Sequence, residues 1–121
     1  MSGIGDGLQN HPTITFTVQL KNQTAQRFDT SVVRESLSSS GAQLLTIAYE
    51  RTNASDAANG LISVSLMDPE SRGGVWRSST AMQNDFNMLA TIRDRVAMRE
   101  AVRELISTVM SASFANISEQ V

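Results

Sequence analysis

Two kinds of hydrophobic periodicity follow one another along this chain, and their order constrains the fold more than any other feature. From Thr13 the apolar residues Ile14, Phe16, Val18 and Leu20 alternate with Thr13, Thr15, Thr17 and Gln19, the two-residue period of a half-buried strand. Lys21 to Ala25 reads as a turn, and the weaker pattern from Gln26 to Leu37, around Phe28, Val32 and Val33, predicts a second strand. Leu44 to Arg51 alternates again, setting Leu45, Ile47 and Tyr49 against Leu44, Thr46, Ala48 and Glu50. Asn53 to Gly60 is turn-rich and ends in Asn59-Gly60, a pair that readily supplies positive φ, so a hairpin into Leu61 to Met67 is predicted. Asp68 to Gly74, with Pro69 and two glycines, then turns the chain into a last strand, Val75 to Met82.

Beyond Asn84 and Asp85, both good helix N-caps, neither Gly nor Pro occurs to the end of the sequence, and residues 86 to 113 are rich in helix formers. The order predicts one α+β domain: an arm over residues 1 to 12, an antiparallel meander over 13 to 82 and a long C-terminal helix over 86 to 113. Some 25 helical residues span about 38 Å, whereas five strands make a sheet only about 24 Å wide. The apolar stripe also shifts, because Met88, Leu89, Ile92 and Val96 centre roughly 90° away from Val102, Leu105, Ile106, Val109 and Met110. Either the helix bends near Ala97 to Arg99, splitting in two, or its halves pack on different surfaces, one of them in a partner chain. A homodimer with Met88, Leu89, Ile92, Val102, Leu105, Ile106 and Val109 at its interface satisfies both observations.

Catalytic readings find little support. The chain has no cysteine, which excludes disulfides, thiolate chemistry and sulfur-bound zinc, and its one histidine, His11, falls in the arm. Gly3 to Gly7 lacks the preceding strand and the spacing of a dinucleotide fingerprint, and Asp68 with Glu70 on a Pro turn reads as a solvated pair. No enzyme activity, metal, cofactor or small-molecule substrate is expected. No apolar run approaches the length of a membrane span, and Met1 to Asn10 has neither the basic nor the apolar part of a signal peptide, so a protein made and kept inside a cell is predicted. A formal charge of −2 argues against binding nucleic acid by phosphate neutralisation alone. Arg95, Arg99 and Arg103 follow i, i+4 spacing beside Glu100 and Glu104, and read more simply as a solvated face than as a nucleic-acid stripe.

The sheet is more informative. If the helix covers Leu45, Ile47, Tyr49, Ile62, Val64 and Leu66, the opposite face shows Thr46, Ala48, Ser63 and Ser65, a flat hydroxyl surface able to hydrogen-bond to phosphates or base edges. Arg77 could add a cation there, while Trp76 and Met82 read as core.

The stretch from Leu44-Leu45-Thr46-Ile47-Ala48-Tyr49-Glu50-Arg51 through Leu61-Ile62-Ser63-Val64-Ser65-Leu66-Met67 to Asn87-Met88-Leu89-Ala90-Thr91-Ile92-Arg93 resembles the coat proteins of the small single-stranded RNA bacteriophages. The resemblance covers roughly residues 43 to 113 and lies in the order of elements more than in a residue signature. It implies a structural capsid protein: an interlocked homodimer that assembles into an icosahedral shell in the cytoplasm of a bacterial host. Its combined sheet would face single-stranded RNA, while helices from both chains cover the outer side. By that analogy Thr46, Ser63 and Ser65 face RNA, with Arg51 and Arg77 as phosphate contacts. The rival expectation is a non-viral homodimeric accessory domain without catalytic activity.

Overall fold

The computed structural model describes residues 4–21, 32–52, 58–116 and 118–120. It is α+β, with two antiparallel sheets ahead of a C-terminal helix. Eight strands, β1 (Asp6–Leu8), β2 (Thr13–Leu20), β3 (Val32–Leu37), β4 (Gln43–Thr52), β5 (Ala58–Leu66), β6 (Gly73–Arg77), β7 (Met82–Asp85) and β8 (Ser118–Gln120), accompany helices α1 (Ile92–Val109) and α2 (Ala112–Ala115). The larger sheet has the order β3-β4-β5-β2-β8 and the smaller one β1-β6-β7. A single meander is therefore not formed. The first strand inserts beside β5, and the expected last strand, Val75 to Met82, is split by a turn at Ser78–Ala81 into the hairpin β6-β7.

Three further expectations change. Residues 4–12 are not a free arm: β1 pairs with β6, Gln9 Nε2 donates to the Pro69 carbonyl at 2.8 Å, and Pro12 is buried. That crossing is close. Gly5 sits at φ +92 with its ideal Cβ position 2.0 Å from the Val75 carbonyl oxygen, so only glycine fits. Asn59-Gly60 lies inside β5, paired with Gln19 and Val18, because a ladder neighbour on either side outweighs a local turn preference. The expected turns at 22–25 and 53–57 lie outside the described residues.

α1 starts at Ile92 and not near residue 86. Asn87 (φ 45) and Leu89 (φ 57) take left-handed backbone, which ends any helix, and Asp85 caps the Asn87 amide at 2.8 Å instead of an α-helix. Thr91 is the true N-cap, its Oγ1 accepting from the Asp94 amide at 3.2 Å. The helix then runs unbroken past Ala97 to Arg99 and ends at Met110, after which Ser111 caps the short α2.

Asp94, Ala97, Met98, Ala101, Leu105 and Val109 form one buried stripe at helical spacing. They lie on Val18, Leu44, Ile62, Val64 and Leu66 of the larger sheet. The small side chains at 97 and 101 let the helix approach β5 closely. The expected rotation of the stripe came from Met88 and Leu89, which precede the helix, and from Ile92, which is exposed, while the small core residues Ala97 and Ala101 went uncounted.

Asp94 is the unexpected member of that stripe. Although fully buried, its carboxylate accepts from the Glu70 amide (2.9 Å), the Ser71 amide (2.8 Å) and Ser71 Oγ (2.5 Å), so the loop after β5 is tied to the first turn of α1. Burial pulls this carboxyl upward, but the Ser71 hydroxyl and the two amides outweigh it and hold the group below the ordinary value of 3.8. A depressed folded-state value stabilises the fold above the unfolded value and loses that contribution as pH falls through the folded one. We expect Asp94→Ala, which strands two buried donors of Ser71 and the part-buried Glu70 amide, to cost about 3 kcal/mol, read as a lower urea midpoint at pH 7. The parent should lose stability below about pH 4, with a shallower acid dependence in Asp94→Asn.

Candidate nucleic-acid interface and assembly surfaces

The two faces of the larger sheet follow from its register. Leu44, Thr46 and Ala48 of β4 stand opposite Leu66, Val64 and Ile62 of β5, and Ile14 and Phe16 of β2 stand opposite Val64 and Ile62. This is the face α1 covers. Leu45 and Ile47 pair with Ser65 and Ser63, which in turn pair with Thr13 and Thr15, and Thr17 pairs with Leu61. These residues make the open face, where Thr13 Oγ1 and Ser65 Oγ lie 2.7 Å apart.

The proposed RNA-facing residues are accordingly divided. Ser65 lies half-buried on the open face; Ser63 is on the same side of the sheet but buried, its Oγ donating to the Ile47 carbonyl at 3.5 Å, so it does not offer the expected exposed hydroxyl. Thr46 is half-buried on the helix side, between Arg34 and Val64 in the ladder. The assumed grouping of Leu45 and Ile47 with Ile62 and Val64 was one residue out of register, and such a slip moves a whole strand to the other face. Arg51 pairs with Asn59, and its side chain lies outside the described residues. Arg77 is exposed opposite Met82 in the smaller sheet, apart from the serines. Trp76 is on the surface rather than in the core, its Nε1 donating to Gln83 Oε1 at 2.8 Å, and Met82 is also exposed. Thr13, Thr15 and Thr17 complete the hydroxyl face and were not singled out, although the alternation of β2 already set them together.

The proposed interface residues separate just as clearly. Leu105 and Val109 belong to the chain's own core, each only 4% exposed. Leu89 and Val102 are half-buried, whereas Met88, Ile92 (73% exposed) and Ile106 (46%) lie on the surface, joined by Met110. At 100° per residue Ile92, Ile106 and Met110 lie within roughly 40° of one another, opposite the core stripe.

Charge is distributed unevenly on α1. Its acidic flank is engaged: Glu100 accepts from the Ser39 amide (2.8 Å) and hydroxyl (2.5 Å), and Glu104 pairs with Arg34 at 2.5 Å. The Ser39 hydrogen bonds hold the Glu100 carboxyl below its usual value. At the start of the helix Arg93 bonds Asp68 at 2.8 Å and lies 3.7 Å from Glu70. On the other flank Arg95, Arg99 and Arg103 edge an apolar groove of about 580 Å³ with Ile14, Leu89, Met98 and Val102 in its walls.

Among the described residues no cluster of three His, Asp or Glu side chains could hold a metal, and no helix is long and apolar enough to cross a membrane. No family model, curated protein or solved structure matches the chain.

Two substitutions separate the core from the outer helix face. Leu105→Ala should lower stability by about 2 to 5 kcal/mol in thermal or urea melts. Ile106→Ser, on an exposed site, should leave stability within about 0.5 kcal/mol in the same melts.

Proposed function

We propose that this chain is a non-enzymatic coat protein that forms homodimers, closes into an icosahedral shell and packages single-stranded RNA. The observation that carries the reading is the two-sided sheet. One face is covered by α1, and the other presents threonine and serine hydroxyls from β2 and β5 around Leu45 and Ile47. Such a surface can accept and donate hydrogen bonds to a phosphodiester chain, and its side chains are short enough for the backbone of a ligand to lie flat on it. Exposed Ile92, Ile106 and Met110 on the outer face of α1, the last two one turn apart, support the self-association half of the proposal, since exposed large apolar side chains on a small domain are a common mark of an interface. A non-viral homodimeric accessory domain would use the same helix residues, and the two readings part at particle formation.

Electron microscopy of the protein expressed alone should show closed particles containing host RNA. Thr15→Glu with Ser65→Glu places two carboxylates on the open face without touching the core. It should reduce packaged RNA several-fold, measured by the ratio of absorbance at 260 and 280 nm, while the melting curve and dimer mass stay unchanged. A stable monomer of 13.1 kDa at micromolar concentration would end the proposal.

A further inference from the structure

α1 lies along the strands of the larger sheet. Its first turn is held by the loop just past the Leu66 end of β5, and Lys21, at the end of β2, donates to the Ala115 carbonyl beyond the end of α1. The helix contacts β5, so its acidic flank faces the β3 and β4 side, where Ser39 and Arg34 meet it. Its basic flank overhangs β2. Among the described residues β2 is bordered on its outer side only by β8, and only at Gln19 and Leu20, so Thr13 to Val18 have no strand there. No described carboxylate forms an ion pair with Arg95, Arg99 or Arg103, although the charge of Arg103 reaches Glu100 and helps to lower its carboxyl. Arg95 donates to the Leu89 and Ala90 carbonyls at 3.0 and 2.6 Å, and Arg99 to the Arg95 carbonyl at 3.2 Å.

From this juxtaposition we infer that the outer edge of β2 and the arginine flank of α1 form one docking site for an extended acidic peptide, which adds to the sheet as a further strand. The spacing favours this occupant. Arginines four residues apart on a helix rise by about 6.0 Å, and side chains two apart on a strand advance by about 6.6 to 6.8 Å, so carboxylates at alternate positions keep step with the arginine row over three residues. The edge supplies main-chain hydrogen bonds, and the groove walls, Ile14, Met98 and Val102, cover the aliphatic stems of the acidic side chains. A second copy related by a two-fold axis through β2 is disfavoured, because it would bring two arginine rows together. The inference stands independently of the coat reading.

The test is fluorescence anisotropy of a labelled, capped seven-residue peptide alternating glutamate and valine, titrated with the full chain. Saturable binding that weakens with salt is expected, lowered at least about tenfold by Arg99→Glu or by Arg103→Glu in chains whose melting curves match the parent. Methylation of the peptide's backbone nitrogens should abolish binding to the unaltered chain, a readout that needs no variant to fold. The inference is overturned if a lysine–valine counterpart binds as well, if the methylated peptide binds unchanged, or if neither arginine change matters. It is also overturned if a uridine-rich oligoribonucleotide binds in an arginine-dependent way while the peptide does not, or if the arginine changes abolish self-association while the peptide does not bind.

Discussion

The buried Asp94 carboxylate is the contact on which the placement of everything else depends. An ionised group in a packed interior is tolerated only when its oxygens are fully engaged, and here the loop after β5 supplies two amides and a hydroxyl. Ser71 is used twice, since its Oγ donates to Asp94 and accepts from the Thr91 amide at 3.2 Å, binding the N-cap to the same node. The arrangement is directional. A hydrophobic stripe can slide or rotate against a sheet with little penalty, but three hydrogen bonds to one carboxylate fix both where α1 begins and which way it faces. With that azimuth set, Glu100 and Glu104 fall toward Ser39 and Arg34, and the arginines fall toward β2.

The polar node also explains why the connection from β5 to the helix can be long without being loose. Between Leu66 and Ile92 the chain builds β6 and β7, whose hairpin closes against β1 through the glycine at position 5 and against residues 85 and 86 through Gly73, where a Cβ would lie 1.8 Å from the Asp85 carbonyl oxygen. Both ends of this excursion return to the same place. Ser71 stands before the hairpin, Thr91 after it, and Asn87 Nδ2 reaches back to the Arg72 carbonyl at 2.9 Å. The smaller sheet is thus held at its root by side-chain to backbone bonds rather than by a shared apolar face, and Trp76 and Met82 stay on the surface as a result.

Strand existence was legible in the sequence wherever one face was apolar and the other polar. β2 is such a strand, and its alternation located it and divided its faces correctly. β4 was found but not oriented, because Leu44, Leu45, Ile47 and Ala48 put apolar groups on both sides, and only the pairing of Leu44 with Leu66 settles which side is inward. That ambiguity carried Thr46 to the wrong face, while Ser63 and Ser65, flanked by Ile62, Val64 and Leu66, were placed with the other hydroxyls. The helix start was hidden for a different reason. Residues 86 to 91 contain no Gly or Pro; Asn87 is a residue type that tolerates left-handed backbone and is held by Asp85 and the Arg72 carbonyl, but the left-handed Leu89 has no such local signal. Asp94 could not be read as a core residue, because its partners lie 23 and 24 residues away in the sequence.

The charge inventory bears on how this sheet could hold RNA. Two of the described arginines are committed elsewhere, Arg34 to Glu104 and Arg93 to Asp68 and Glu70, and the chain as a whole is acidic. A single copy can therefore neutralise few phosphates, so its separate contribution would be weak and only mildly dependent on salt. Hydroxyl contacts are suited to that regime, because they lose little on desolvation and do not demand a fixed base sequence. On the proposed coat reading their weakness would become useful once copies are fixed in a closed lattice: with one segment of RNA held, the next face would meet it at high effective concentration, and many small terms would add along a continuous strand. Arginines placed on the same face would tighten each contact, but they would also repel one another across every neighbouring copy before RNA arrived. On that reading a face of threonine and serine would avoid that opposition and would leave assembly to the apolar residues exposed on the helix.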